Sequence, residues 1–189
     1  MIKLKELLDI NYPSVDLFSE SPLRTGKWNV SQLEPFGSNR MFTIGIKEKA
    51  KLIGKYGKYD IYKYLTKDGY TIDCFVSSDD TLAFFQYKVI NGMCAIHRIW
   101  QDTLQIGLVR KIILEYYLSH YTSILTDDVH TEYGEKCIYK LLNQAKELGY
   151  KIFVLKNNNE KVYVDDLSKL DTYYSPGTAG LQYQFGIEK

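Results

Sequence analysis

Apolar and polar positions alternate with a period of two from Lys58 to Trp100 and then switch to helical spacing. Tyr59-Asp60-Ile61-Tyr62-Lys63-Tyr64-Leu65 reads as a strand, and Lys67-Asp68-Gly69 supplies a D-G turn into a second strand over residues 70–76. A third run covers residues 81–90 after the polar stretch Ser77-Ser78-Asp79-Asp80, and Asn91-Gly92 turns it into a fourth run over 93–100. Asn-Gly is a strong hairpin signal because both central residues of the favoured two-residue turn need positive φ. Four successive strands joined by tight turns form an antiparallel meander, since parallel neighbours need crossovers.

Beyond the meander, Leu108, Ile112, Ile113 and Tyr116 recur at helical spacing over residues 107–120. The Tyr116-Tyr117 pair therefore reads as helix packing rather than a stacking platform. Residues 123–126 are too few for anything but a buried strand. A second helix over 131–148 carries Ile138, Leu141, Leu142, Ala145 and Leu148 on one face, with Glu132 and Glu135 near its positive end and Gly149 as its stop. Residues 151–155 read as the next strand, and the polar stretch 157–180 as a surface excursion. The last residues alternate Leu181, Tyr183, Phe185 and Ile187 against Gln182, Gln184 and Gly186, a half-buried antiparallel strand expected to pair with 151–155.

The first fifty residues are the least regular. Residues 3–10 fit a short helix with Leu4, Leu7 and Leu8 on one face, after which Pro22, Gly26, Pro35 and Gly37 interrupt Phe18, Trp28, Val30, Leu33 and Phe36. The expected fold class is α+β: a mixed, mostly antiparallel sheet flanked by helices, with an irregular N-terminal arm. That arm, residues 1–57, is expected to pack on the domain formed by residues 58–189.

At 189 residues the chain is long enough for one well-buried core. A formal net charge of +1 gives no broad field to steer the chain onto nucleic acid, and the cations are mostly Lys, with Arg only at 24, 40, 98 and 110. Lys49, Lys51, Lys55 and Lys58, interleaved with Tyr56 and Tyr59, form a local basic cluster that a solvated hairpin face explains as well as phosphate contact does. No run of about 18 apolar residues is present, and the N-terminus lacks a signal-type apolar block, so the expectation is a cytoplasmic protein without a membrane partner. Cys74, Cys94 and Cys137 are odd in number and scattered, as reduced thiols would be. Cys94 and His97 have C-x-x-H spacing, but residues three apart on a strand point to opposite faces, so no metal is expected there.

The densest cluster of chemically capable residues is Asp127-Asp128-Val129-His130-Thr131-Glu132. His130 or Asp128 could serve as a general base at the end of a strand, and with Asp127 they could bind a metal. Alternatively, the two aspartates open a loop and Thr131 caps a helix. His97 stands on a strand beside Arg98, where it is either a base for a substrate amine or an ordinary half-buried sheet residue.

The order of strand, glycine turn, helix, strand and helix across residues 96–150, with T-L-Q-I-G-L-V-R as the turn, resembles the GCN5-related N-acetyltransferase (GNAT) superfamily over residues 58–187. The segment T-D-D-V-H-T-E-Y-G-E is also similar to acetyltransferase-like open reading frames of tailed bacteriophages. That likeness fits a composition rich in Lys, Tyr, Ile and Asn, as an AT-rich genome encodes. The GNAT resemblance implies a sheet splayed in its middle and a site for acetyl-CoA. His97, Arg98 and Ile99 would present strand backbone to the pantetheine arm, and Gln105, Ile106, Gly107, Leu108 and Val109 would offer amides to the pyrophosphate. Tyr139 or Tyr133 would protonate the departing thiolate, and His130 or Asp128, directly or through water, would take the amine proton.

Two positions depart from the superfamily's patterns. Gln105 stands where the turn's first glycine would fall, and Ile138 where the helix tyrosine is expected. Two readings of function follow: an acyltransferase moving an acetyl group from acetyl-CoA to an amine, or a catalytically silent module, phage-encoded and acting in the host cytoplasm, that binds a host or virion protein.

Overall fold

Asn91 and Gly92 both have positive φ (52° and 79°), as a two-residue hairpin joining two right-twisted strands requires. The computed structural model describes residues 39–78, 80–101, 105–126, 132–156, 159–173 and 183–189. It is an α+β structure with a mostly antiparallel sheet. Two compact units, residues 1–84 and 85–189, share this architecture.

In the first unit, α1 (Asn39–Lys49) precedes β1 (Lys51–Tyr56), β2 (Tyr59–Leu65), β3 (Thr71–Ser77) and the opening residues of β4 (Asp80–Ile90). These strands are neighbours in chain order. At the β2–β3 corner the Thr66 hydroxyl accepts the Tyr70 N–H at 2.9 Å and reaches the Asp68 carboxylate, while Gly69 takes φ 80°. Thr-Lys-Asp-Gly thus closes the hairpin read from its D-G pair. β3 is buried on both faces. Even Asp73 is buried, its charge balanced by Lys63 Nζ at 3.1 Å. Helix α1 buries Thr43 and Ile46, one turn apart, and Thr43 shares a hydroxyl–hydroxyl hydrogen bond of 2.9 Å with Thr81. Residues 39–56, expected to belong to an irregular arm, therefore contain a helix and an edge strand. Gly45 and a thin apolar stripe hide the helix in the sequence.

In the second unit the order is β4-β5-β6-β9-β7-β8, where β5 is Met93–Gln101, β6 Ser123–Leu125, β7 Lys151–Lys156, β8 Lys161–Tyr163 and β9 Tyr183–Glu188. β5 and β6 pair in parallel, and β9 lies antiparallel to both β6 and β7. Between β5 and β6 runs α2, made of an α turn (Leu108–Lys111), a π-helical segment (Ile112–Tyr117) and a final turn (Leu118–His120). The wider π winding gathers Ile112, Ile113, Leu114, Tyr117 and Leu118 toward the core, a set too broad for one face of a 3.6-residue turn. It also decides which tyrosine is buried. Tyr117 is enclosed against Phe85 (4.9 Å between centroids) and Tyr87 (5.4 Å), while Tyr116, the position expected from α spacing, stays half-buried.

Helix α3 (Glu132–Glu147) buries Leu141, Leu142 and Ala145 and packs on β7. It stops where Gly149 takes φ 84°. The Tyr150 N–H then reaches back to the Ala145 carbonyl (3.0 Å) and the Gly149 N–H to Lys146 (2.9 Å), a Schellman closure. Leu148, expected on the apolar face, lies between the last helical residue and this glycine and is exposed.

The pairing of the last strand with 151–155 is found, from Lys151↔Glu188 to Lys156↔Tyr183. Its alternation holds at Gln184 and Glu188, which are half-buried, and the departure is at Gly186, which is covered. Phe185 and Ile187 are enclosed on one face, and on the other the Phe153 ring lies so close over Gly186 that a Cβ there would come within 2.1 Å of it. Above that ring Lys161 sits at 4.6 Å and bonds Glu188 (2.6 Å), and the Tyr163 hydroxyl donates to the other Glu188 oxygen at 2.5 Å. The Lys161 bond chiefly, then the Tyr163 bond, holds the Glu188 carboxyl below its ordinary range.

The stretch expected as a plain excursion also carries structure. β8 pairs with β7, Val164 and Leu170 are buried, and a 3-10 helix (Leu167–Tyr173) starts where the Asp166 carboxylate accepts the Ser168 N–H (3.1 Å) and hydroxyl (2.7 Å). The Ser168 hydroxyl is the main cause of the lowered Asp166 pKa. The expected helix over 3–10 lies outside the described residues.

Two measurements test this packing. Gly186→Ala should cost about 1–3 kcal/mol in urea unfolding by overpacking. Combined with Phe153→Leu it should cost less than the sum of the single changes, because the two sites share one space. Glu188→Gln should destabilise by about 0.2–1 kcal/mol at neutral pH, as a half-buried ion pair still screened by solvent allows. A carboxyl with a lowered folded pKa stabilises above its unfolded value, so the gap between wild type and variant should close as pH falls below about 4.3.

Candidate functional site

β5 is nine residues long, and among the described residues it pairs with β6 over Met93↔Ser123, Cys94↔Ile124 and Ala95↔Leu125. On the other side of β6, Thr126 carries the pairing with β9 one residue further: its N–H goes to the Phe185 carbonyl (2.8 Å), its carbonyl accepts the Gln184 side-chain amide (3.2 Å), and its hydroxyl accepts the Phe185 N–H (3.2 Å). The six residues from Ile96 to Gln101 run on past the last of these β5–β6 pairs.

Along that overrun the side chains alternate. Cys94, Ile96 and Arg98 are buried, while His97 is half-buried and Ile99 is exposed. The three residues expected to present strand backbone to a cofactor arm, His97, Arg98 and Ile99, thus lie on the part of β5 beyond the pairing.

The turn that follows is built around Gly107, which takes the left-handed conformation (φ 82°) and begins α2. A Cβ at this position would lie 3.3 Å from Arg110 Nη2, so the guanidinium folds back over the glycine. Of the amides expected to face a pyrophosphate, Leu108 N–H goes to the Gln105 carbonyl (3.1 Å) and Val109 N–H to the side-chain oxygen of Gln101 (3.2 Å). Ile106, at the tip, is 90% exposed. Gln101 and Arg110 were not singled out in the sequence. Arg110 stands three residues after Gly107, where a helix brings side chains back over its first turn, and that spacing was the available signal.

Tyr139 and Ile138 are both half-buried in the middle of α3, and the Tyr139 carbonyl accepts the Asn143 side-chain amide at 2.8 Å. Tyr133 is in the first turn of α3, its side chain outside the described residues. His130 and Asp128 lie outside them altogether. The structure thus brings together the β5 overrun, the Gly107 turn and the start of α2.

Among the described residues no three His, Cys, Asp or Glu side chains gather as a metal site, and no helix is long and apolar enough to cross a membrane. Cys74 is fully buried, and burial, with Asp73 beside it, pushes its thiol far up, which leaves it in the unreactive protonated form. Compared with known proteins, the chain matches no family model and no curated sequence.

Substituting Gly107→Ala should cost about 1–2 kcal/mol in urea unfolding, because a side chain is strained at that φ. Gly54→Ala, where a Cβ meets nothing within 4 Å, should stay within about 0.5 kcal/mol of wild type.

Proposed function

We propose that the second unit is a GNAT-type acyl-CoA site and that the protein transfers an acetyl group from acetyl-CoA to an amine. The observation that carries this reading is the parallel β5–β6 pair, past whose three registered residues β5 runs on toward a glycine-led helix start. In this reading the β5 overrun offers strand backbone to an extended ligand arm, and the start of α2 favours anions.

The residues fit an anionic ligand at the turn. Arg110 is a cation beside Gly107, where no Cβ intrudes, and the bond between Gln101 and Val109 joins two neutral groups. A phosphate oxygen makes a charge-assisted bond to the same N–H roughly twice as strong, so it can displace the glutamine. Gly107, Val109 and Arg110 would hold the pyrophosphate, and acetyl-CoA would supply the activated thioester. His130 or Asp128, directly or through one water, would take the amine proton as the nitrogen bonds to the carbonyl carbon and the carbon–sulfur bond breaks. Tyr139 or Tyr133 would return a proton to the sulfur.

A second reading is favoured by the same contact. With Leu108 and Val109 N–H already engaged and Ile106 exposed, the turn also suits a catalytically silent module that binds a host or virion protein.

Calorimetric titration with acetyl-CoA distinguishes the two. Binding should be measurable at micromolar to millimolar ligand and about tenfold weaker in Arg110→Ala, the cost of one charge-assisted bond. It should be no weaker in Gln101→Ala. Absence of heat at millimolar acetyl-CoA from a folded sample would sink the acyltransferase reading.

A further inference from the structure

In the first unit, β1 is the edge strand of the order β1-β2-β3-β4, and every residue from Lys51 to Lys55 is exposed. Leu52 and Ile53 remain 51% and 40% exposed. The register shifts between Leu52 and Gly54, so Ile53 sits in a bulge. Residues 49–58 contain Lys49, Lys51, Lys55 and Lys58 and no acid. Lys55 pairs with Asp60 at 3.4 Å, and its side chain stays 74% exposed.

An edge strand presents a row of backbone donors and acceptors, and lysines on it discourage indiscriminate pairing. Here the lysines flank two apolar residues that stay exposed among the described residues, which makes the edge selective rather than merely guarded.

We propose that β1 is a docking edge for an extended acidic segment of a partner protein, which adds to the sheet as a further strand. Backbone hydrogen bonds supply pairing, Leu52 and Ile53 supply apolar contact, and the lysines select carboxylates. A second copy of the chain is a poor occupant, because antiparallel self-pairing centred on Ile53 sets Lys51 against Lys55 of the other copy, and like charges directly opposite are destabilising. Nucleic acid is also a poorer fit. The cations are all Lys, without the planar fork of Arg, and strand pairing uses the apolar pair and the backbone edge where phosphate contact does not.

The test uses the full chain and a labelled peptide of about eight residues, alternating Glu with Val. Fluorescence anisotropy should show binding that weakens with salt and falls about tenfold when the glutamates are replaced by Gln. A similar fall is expected for Lys51→Glu with Lys55→Glu, and a smaller one for the milder pair Lys51→Gln with Lys55→Gln. Hydrogen exchange should slow at residues 51–56 when the peptide is bound. The proposal is overturned if the acidic peptide does not bind, if it binds without slowing exchange at 51–56, if both lysine pairs bind it as wild type does, or if a single-stranded oligonucleotide binds more tightly than the peptide.

Discussion

The second unit depends on β9 lying antiparallel to both β6 and β7, which ties the parallel β5–β6 pair to the terminal strands. Ser123, Ile124 and Leu125 of β6 pair with β5 on one side and with β9 on the other, and Thr126 extends the β9 side through its amide and its hydroxyl. A short strand paired on both sides fixes its neighbours' register: β5 runs on from these pairs toward the Gly107 turn, and β9 is held between β6 and β7.

The turn at the end of β5 balances two kinds of polar contact. Gly107 permits the left-handed entry into α2, and Arg110 folds over it because no side chain fills that space. The Val109 amide is satisfied by a neutral oxygen from Gln101 at 3.2 Å, toward the long end of the usual range. A buried donor left without a partner is expensive, so the chain supplies one. Because that partner is uncharged, the bond joins two neutral groups.

β7 and β9 are buried through their middles, at residues 152–155 and 185–187. Phe153 fits only because Gly186 has no Cβ, and the ring is capped by Lys161, itself held by Glu188. A polar cap over an aromatic ring buries the ring while keeping the cap's charges in water. In the first unit, by contrast, β1 gains little from burial and is held mainly by its pairing with β2.

Local chemistry made much of the fold legible in the sequence. Asn91-Gly92 and Asp68-Gly69 specified turns through the φ they tolerate, and the period change after Trp100 separated meander from helices. Gly149 marked the stop of α3. For the candidate site, the sequence was enough to point to the Gly107 turn and the end of β5. It could not show that Gln101 and Arg110 complete that turn, since both act through side chains folded back across it. Nor could it show that Tyr117 rather than Tyr116 is buried, because the π segment that turns it inward follows from packing five large side chains against one sheet. The Phe153 ring over Gly186 and the structured part of 157–180 belong to the same class. Each is set by which distant residues compete for one space or one hydrogen bond, whereas periodicity and turn chemistry record only what neighbours along the chain can do.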